Sequence, residues 1–180
     1  MYYTATSLDG FIADPDNSLS WLLQFGDGGD TGYEEFIAGI GALAMGSTTY
    51  EWVFRELGLA DRPEAWPYVQ PAWVFSRRQL PRIPGADLRF VSGPVADTYA
   101  DQLRAAAELR IWVMGGGDLA GQYADAGLLD EIIVDVAPVT LGGGAPLFPR
   151  RLATPPRLRL VEARPNSLFA RLRYALDSPG

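Results

Sequence analysis

The sequence contains no cysteine and no histidine, and all 15 of its basic residues are arginine, so lysine is absent as well. Without cysteine and histidine the chain has no disulfides, no Cys/His zinc site and no thiol nucleophile. The missing histidine excludes a Ser-His-Asp triad, and the missing lysine excludes a phosphate-binding P-loop and a Schiff-base enzyme. Any catalytic proton must therefore come from Asp, Glu, Tyr, water or the substrate itself.

The sequence also lacks a basic character and a long hydrophobic run. The formal net charge is −7, which disfavours non-specific nucleic-acid binding because such binding requires a basic surface. Apolar runs stay far short of the roughly 20 residues that a membrane helix needs, and the start of the chain is not a signal peptide. We therefore expect a cytoplasmic protein with no nucleic-acid or membrane partner, and 180 residues most simply form one domain.

Short apolar segments alternate with helical segments along most of the chain. Buried strands are predicted at 1–6, 42–45, 72–76, 88–91, 110–114 and 131–139. Helices are predicted from 30 or 31 to about 40, from 47 or 48 to 54, from 94 to 106 and from 118 to 126. The last two strands, 158–164 and 168–176, form a hairpin that turns at 165–167. This order predicts an α/β fold with a mostly parallel central sheet, flanking helices and a C-terminal antiparallel hairpin.

Three consecutive glycines, Gly115, Gly116 and Gly117, lie between a predicted strand and a helix that begins at Asp118. Backbone N–H groups at a helix start bind phosphate where no side chain blocks the approach. Residues 115–120 fit the G-x-G-x-x-A dinucleotide pattern, although they follow a late strand and not the first one. A sharp turn also favours glycine, so the residues alone leave a plain turn and a phosphate site open.

Two other strand ends carry residues suited to anions. The Gly-Ser-Thr-Thr segment 46–49 begins a helix with small and hydroxyl side chains, which fits either a phosphate site or a plain N-cap. Ser76, Arg77 and Arg78 end another strand, where the arginines would bind a monophosphate or simply lie in solvent. Because open α/β sheets bind ligands at the carboxyl ends of their strands, the three segments together predict a binding groove there.

The order and spacing of these segments resemble the dihydrofolate-reductase-like fold and, within it, the C-terminal reductase domain of riboflavin biosynthesis, here without a deaminase domain. The resemblance covers nearly the whole chain through SLDGFIADPDNSLSWL (7–22), MGSTTYE (45–51), VFSRR (74–78), IWVMGGGDLAGQYADAGLLDEI (111–132) and PVTLGGGAPLF (138–148). It implies an NADPH-dependent reductase that transfers hydride to a C=N bond of a pyrimidine- or pterin-like substrate, in particular a phosphoribosylamino-uracil. A dihydrofolate-reductase-type activity and a nucleotide-binding protein without catalysis are the alternatives.

The resemblance also assigns residues to the cofactor. The residues that it places at the diphosphate and ribose of NADPH are Gly46, Ser47, Thr48, Thr49, Gly115, Gly116, Gly117, Asp118 and Leu119. Ser76 and Arg77 would bind the 2′-phosphate. Dihydrofolate reductases often have an arginine where this chain has Ser47, which leaves Arg77 and Arg78 to carry that positive charge.

Two acidic residues are the catalytic groups that the resemblance implies, and no metal is implied. Asp30 lies 15 residues before Met45, the spacing of the pterin-binding carboxylate in dihydrofolate reductases; a helix N-cap is the alternative. Asp9 would lie near the nicotinamide and substrate, with a turn residue before Gly10 as the alternative. Members of the family are often homodimers, and the C-terminal strands offer an edge for pairing, so we expect a homodimer.

Overall fold

The computed structural model describes residues 1–26, 32–151 and 158–176. The strands of its main sheet are β1 (Tyr2–Thr6), β3 (Ile40–Gly46), β4 (Ala72–Phe75), β5 (Leu88–Val91), β6 (Arg110–Met114), β7 (Glu131–Val136), β9 (Leu158–Asn166) and β10 (Phe169–Leu176). A second, two-stranded antiparallel sheet consists of β2 (Phe11–Ala13) and β8 (Ala145–Pro146). The helices are α1 (Ser20–Leu23), α2 (Tyr33–Ala38), α3 (Ser47–Glu56), α4 (Ala96–Ala106) and α5 (Gly117–Asp125).

The main sheet has the strand order β5-β4-β3-β6-β1-β7-β10-β9. Its first six strands in this order pair in parallel, whereas β10 pairs antiparallel with both β7 and β9. The predicted α/β architecture, with a mostly parallel sheet and a C-terminal antiparallel hairpin, is therefore confirmed. In the part of the chain that the structure describes, no helix is both long and apolar enough to cross a membrane.

The central strand β3 is buried on both faces, which explains why it is apolar throughout. Along β3, Leu43 and Met45 pack in one hydrophobic cluster with Phe36 of α2. Ala44 points the other way and packs in a second cluster with Tyr123 of α5. Successive strand residues face opposite sides of a sheet, so a strand covered by helices on both sides has no polar face.

The predicted end of the second helix is wrong. The spacing of Tyr33, Phe36 and Ile40 fits one helical face, but α2 ends at Ala38 and Ile40 is the first residue of β3. Ile40 is 2% exposed and pairs with Arg110 of β6, so sheet pairing overrides a spacing that is compatible with a helix. The N-cap of α2 is Gly32, and the predicted caps at 30 and 31 lie outside the described residues.

Two further boundaries differ from the prediction. The segment 141–149, for which no strand was predicted, contains the two residues of β8 that pair with β2. The C-terminal hairpin turns one residue later than expected, because Asn166 and Phe169 still pair and Ser167 adopts a φ of +55°. Pro165 therefore lies inside β9, which is an edge strand, where the missing N–H group is tolerated.

A buried ion pair attaches the hairpin to the parallel part of the sheet. Arg171 Nε and Nη2 donate to the two carboxylate oxygens of Asp135 at 2.8 and 2.7 Å, and these side chains are only 10% and 8% exposed. The Tyr3 hydroxyl donates to Asp135 at 2.7 Å, and the Asn166 amide donates to it at 3.2 Å. The carboxylate thus has four donors, which compensates for its removal from water.

Arg171→Met should destabilise the protein strongly, because Asp135 would stay buried without its cationic partner. Loss of one partner of a buried ion pair costs about 3–5 kcal/mol, measured here as the free energy of unfolding in urea. The matched control is Arg164→Gln, whose ion pair with Glu162 is exposed and should contribute less than about 1 kcal/mol. Similar small losses in both variants would contradict the importance of the buried pair.

Candidate functional site

The three segments singled out in the sequence meet at one edge of the main sheet. β3, β4 and β6 are adjacent and parallel, so their carboxyl ends lie side by side. The segments that follow them are 46–49, 76–77 and 115–119. A Cβ at Gly115 would lie only 2.9 Å from Thr49 Oγ1, which shows that the first and third segments are in contact.

Helices α3 and α5 both begin at this edge with a glycine as N-cap, Gly46 and Gly116 respectively. The expectation that Ser47 or Thr48 caps the helix is therefore wrong. Glycine has no side chain to bond the first N–H groups of a helix, so these donors are left to other partners. A Cβ at Gly46 would meet nothing within 4 Å, and one at Gly116 would have its nearest neighbour at 3.9 Å. Both helix starts are thus open to close approach by an anion.

The three consecutive glycines are required for different reasons. Gly115 and Gly116 have φ values of +61° and +78°, which glycine adopts without strain. Gly117 has no positive φ, but a Cβ there would lie 2.3 Å from the carbonyl oxygen of Leu147. The turn therefore accounts for glycine at 115 and 116, and close packing against Leu147 accounts for glycine at 117. The open space beside Gly116 also leaves room for a ligand.

A cleft with a volume of about 290 Å³ lies against these helix starts. Of the residues assigned to the cofactor from the sequence, it is lined by Thr48, Thr49, Gly115, Gly116, Gly117 and Asp118. The cleft is also lined by apolar residues, among them Ile12, Trp52 and Pro146, which the sequence reasoning missed. Trp52 could have been predicted from its spacing, because it follows Thr48 by about one helical turn and lies on the same face of the helix.

A second depression of about 300 Å³ lies further along the same sheet edge, and the cleft and this depression are together called the groove. The lining of the second depression includes Ser47, Ser76, Arg77, Arg78, Ser92, Gly93 and Gln122. The sequence predicted Ser47, Ser76, Arg77 and Arg78 as binding residues. It did not predict Ser92, Gly93 or Gln122. Gln122 lies one turn after Asp118 in α5, and its amide donates to the Asp118 carboxylate at 2.9 Å, so residues that line the two depressions are in contact.

The two neighbouring arginines of this depression have different environments. Arg78 forms a two-bond ion pair with Glu51 of α3, at 2.9 and 2.7 Å. The Ser76 hydroxyl accepts the Arg78 N–H at 2.9 Å and donates to the Arg78 carbonyl at 3.0 Å, which fixes the turn. Arg77 is exposed and lines the depression. Arg77 is thus better placed than Arg78 to bind a phosphate.

The remaining assigned residues of the 115–119 segment differ in accessibility. Leu119 is 6% exposed and packs in the core beneath α5, so its backbone, and not its side chain, faces the helix start. The Asp118 carboxylate accepts hydrogen bonds from Gln122 and Arg150, and these bonds hold the pKa of Asp118 below its ordinary value. Asp118 therefore stays ionised at the mouth of the cleft at neutral pH.

Asp9 joins the opening loop to the late glycine-rich loop. Its carboxylate accepts bonds from the Ser7 hydroxyl at 2.6 Å and from the backbone N–H groups of Leu141 and Gly142 at 3.0 and 2.7 Å. These bonds, the one from Ser7 first, lower the pKa of Asp9 to about 2. Such a carboxylate is a poor proton donor, so the contacts favour a positioning role, and a catalytic role for Asp9 stays a prediction. Asp30 lies outside the described residues.

Comparison with known proteins assigns the chain to a family. Residues 69–167, more than half of the chain, match the RibD C-terminal domain. The chain belongs to the RibD C-terminal domain family. This is the reductase family of riboflavin biosynthesis that the sequence motifs indicate, so that resemblance is confirmed.

Other relatives match this chain over almost its whole length. It is 30% identical to the uncharacterized protein YwjB of Bacillus subtilis over 172 residues, which cover 96% of this chain and 94% of that protein. A protein of Shewanella sp. PV-4, provisionally named a riboflavin biosynthesis protein, has a similar structure with a TM-score of 0.77 and 27% identity, covering 98% and 97% of the two chains.

The dihydrofolate-reductase-like fold is confirmed by a more distant structure. Dihydrofolate reductase from Enterococcus faecalis, solved in complex with NADP(H), matches with a TM-score of 0.60 over 98% of this chain and 95% of that chain. The sequence identity is 18%, so this likeness concerns the fold alone.

Gly117→Ala and Gly116→Ala should destabilise the protein to different extents. The methyl group at 117 would overlap the Leu147 carbonyl, and such overpacking costs about 1–3 kcal/mol or more. At 116 the methyl group has space, and only the left-handed backbone adds about 1–2 kcal/mol. Thermal and urea unfolding measure both losses, and an unaltered stability of Gly117→Ala would contradict the packing against β8.

Proposed function

We propose that the protein is an NADPH-dependent reductase that reduces a C=N bond of a pyrimidine- or pterin-like substrate. One observation carries the proposal: two helices with glycine N-caps begin at one edge of the sheet, beside the apolar cleft and the neighbouring depression that Arg77 lines. The reductase family supports this assignment, and within it the riboflavin-pathway reaction on a phosphoribosylamino-uracil is the first activity to test.

The groove fits an extended dinucleotide in three respects. The uncapped N–H groups at the starts of α3 and α5 would hold the diphosphate, since helix N-termini attract anions and the space beside Gly46 and Gly116 is open. Arg77, with the Ser92 hydroxyl nearby, would bind the 2′-phosphate. The apolar cleft beside Trp52 would receive the nicotinamide and the substrate ring.

NADPH would supply the hydride, and the protein's own groups would position the reactants and manage the proton. Reduction of a C=N bond adds hydride to carbon and a proton to nitrogen. Since the chain has no histidine or lysine, that proton comes from a carboxylic acid, a phenol or water. Asp30 is the proposed carboxylate at the amino-pyrimidine edge of the substrate, as the resemblance implies. Asp9 would hold the two loops beside the cleft, and apolar residues such as Ile12 and Trp52 would exclude water.

The experiment that tests the function combines a binding titration with a turnover assay. NADPH is titrated into the purified protein, and its oxidation is followed by absorbance with a phosphoribosylamino-uracil, with its dephosphorylated form and with dihydrofolate. Turnover of the first compound supports the riboflavin-type activity, whereas turnover of dihydrofolate alone supports the dihydrofolate-reductase type. Binding without any turnover would favour a nucleotide-binding protein, and the absence of NADPH binding would refute the proposal.

Gly46→Ala provides a direct probe of the diphosphate position. Gly46 has an ordinary φ of −81° and open space around its Cβ, so the substitution should change the free energy of unfolding by less than about 1 kcal/mol. If the diphosphate lies against the start of α3, the added methyl group should weaken NADPH binding by about tenfold or more. Normal NADPH affinity in this variant would place the diphosphate elsewhere.

Arg77→Ala should weaken NADPH binding much more than NADH binding. A charge-assisted bond to the 2′-phosphate contributes about 1.5–3 kcal/mol, or roughly 10- to 100-fold in affinity. Arg78→Ala is the matched control, because Arg78 is engaged with Glu51 and its loss should change the two affinities little and equally. Equal weakening of both cofactors by Arg77→Ala would show that Arg77 does not read the 2′-phosphate.

A further inference from the structure

The carboxylate of Asp118 lies where the proposed function requires an anion to bind. It lines the cleft at the second residue of α5, and its side chain is 66% exposed. Like charges repel each other, so an unpaired carboxylate at the start of α5 would weaken the binding of a diphosphate there. The site therefore needs a positive charge beside Asp118.

Arg150 supplies this charge from another part of the chain. Its Nη2 lies 2.8 Å from Asp118 Oδ1, and its Nε lies 2.8 Å from Asp125 Oδ2. Its Nη1 donates to the Pro149 carbonyl at 3.0 Å. The guanidinium thus spans about two turns of α5 and is only 28% exposed, so it is held in one place instead of moving freely in solvent.

Gly121 in the middle of α5 independently indicates that the helix accommodates this arginine. A Cβ at position 121 would lie 2.7 Å from Arg150 Cγ and 3.0 Å from Arg150 Nε. Gly121 has no positive φ, and glycine is otherwise a poor residue inside a helix, so the backbone conformation does not explain it. The missing side chain instead makes a shallow channel in which the stem of Arg150 lies.

We propose that Arg150 is a positioning residue of the cofactor site, which neutralises Asp118 so that the N–H groups at the start of α5 can bind the diphosphate. The inference rests on the proposed function, because it concerns the binding of the same dinucleotide. Arg150 itself acts through Asp118 and does not need to touch the cofactor. It belongs to the segment after β8, and Pro149 of this segment lines the cleft together with Pro146 of β8.

Arg150→Gln should raise the dissociation constant of NADPH about tenfold at low ionic strength, because Asp118 then faces the diphosphate uncompensated. The defect should shrink in 0.5 M salt, where an exposed carboxylate is screened. Asp118→Asn introduced into the same chain should restore the affinity to within about threefold of the wild type. Isothermal titration of the full-length chain measures all of these values, with thermal melting as the check on folding.

Two further variants separate this role from general effects. Gly121→Ala should mimic Arg150→Gln, because the methyl group displaces the guanidinium while favouring the helix. Arg104→Gln, which removes an exposed arginine paired with Asp101 on α4, should leave the affinity unchanged.

Each outcome decides between the inference and the proposed function. If the wild type binds NADPH and Arg150→Gln binds it equally well, the inference is wrong while the function stands. If Asp118→Asn fails to rescue Arg150→Gln, Arg150 only braces the fold and the inference is likewise overturned. If the wild type does not bind NADPH, the proposed function fails and the inference falls with it.

Discussion

The shape of the cleft depends on the contacts that the backbone of Leu147 makes with Tyr2, Gly10 and Gly117. The buried hydroxyl of Tyr2 donates to the Leu147 carbonyl at 3.0 Å, and Gly117 lies so close to this carbonyl that no side chain fits between them. The N–H group of the same residue donates to the Gly10 carbonyl at 2.9 Å. The first strand, the start of α5 and the small β2–β8 sheet are thereby fixed to one another. The apolar residues and the glycines that line the cleft keep their separation for this reason.

The positive groups beside the groove are local features of a chain that is acidic as a whole. Because the net charge of the chain is −7, its overall field does not draw in an anionic dinucleotide from a distance. Two uncapped helix starts and Arg77 provide positive potential along a narrow track instead. Neighbouring charges are paired off, as Arg78 is with Glu51 and Asp118 with Arg150. Such a track favours a ligand whose phosphates match its spacing over one that is merely anionic.

The sequence was sufficient to predict features that depend on local pattern. Strands buried on both faces are apolar throughout, and glycines or hydroxyl residues after them mark the helix starts, so the sheet and the segments 46–49 and 115–119 were predictable. The helix end near Ile40 was not, because its spacing satisfies a helix and a strand equally well. β8 has only two residues and exists through pairing with β2, more than 130 positions away in the chain.

The same distinction separates the predicted from the missed parts of the site. Ser76 and Arg77 were identified from their place at a strand end, but only the fold shows that Glu51 engages Arg78. Nothing in the sequence around Asp9 indicates that its carboxylate accepts hydrogen bonds from the backbone of residues 141–142. Contacts between distant segments follow from the strand order, and the strand order is what a single sequence specifies least. The reason for glycine at 121 is likewise visible only in the fold, where the side chain of Arg150 packs against it.

The central position of β1 has a consequence for how the molecule assembles. β1 pairs with β6 and β7, which begin more than 100 residues later in the chain, as in the register of Tyr2 with Val113 and Ile132. Parallel pairing over such separations closes long loops and is slow to form. During synthesis the first strand must wait, unpaired, until both of its neighbours have been made. The groove is consequently a late product of folding, and Thr4 takes its place in the cleft only when the parallel part of the sheet is complete.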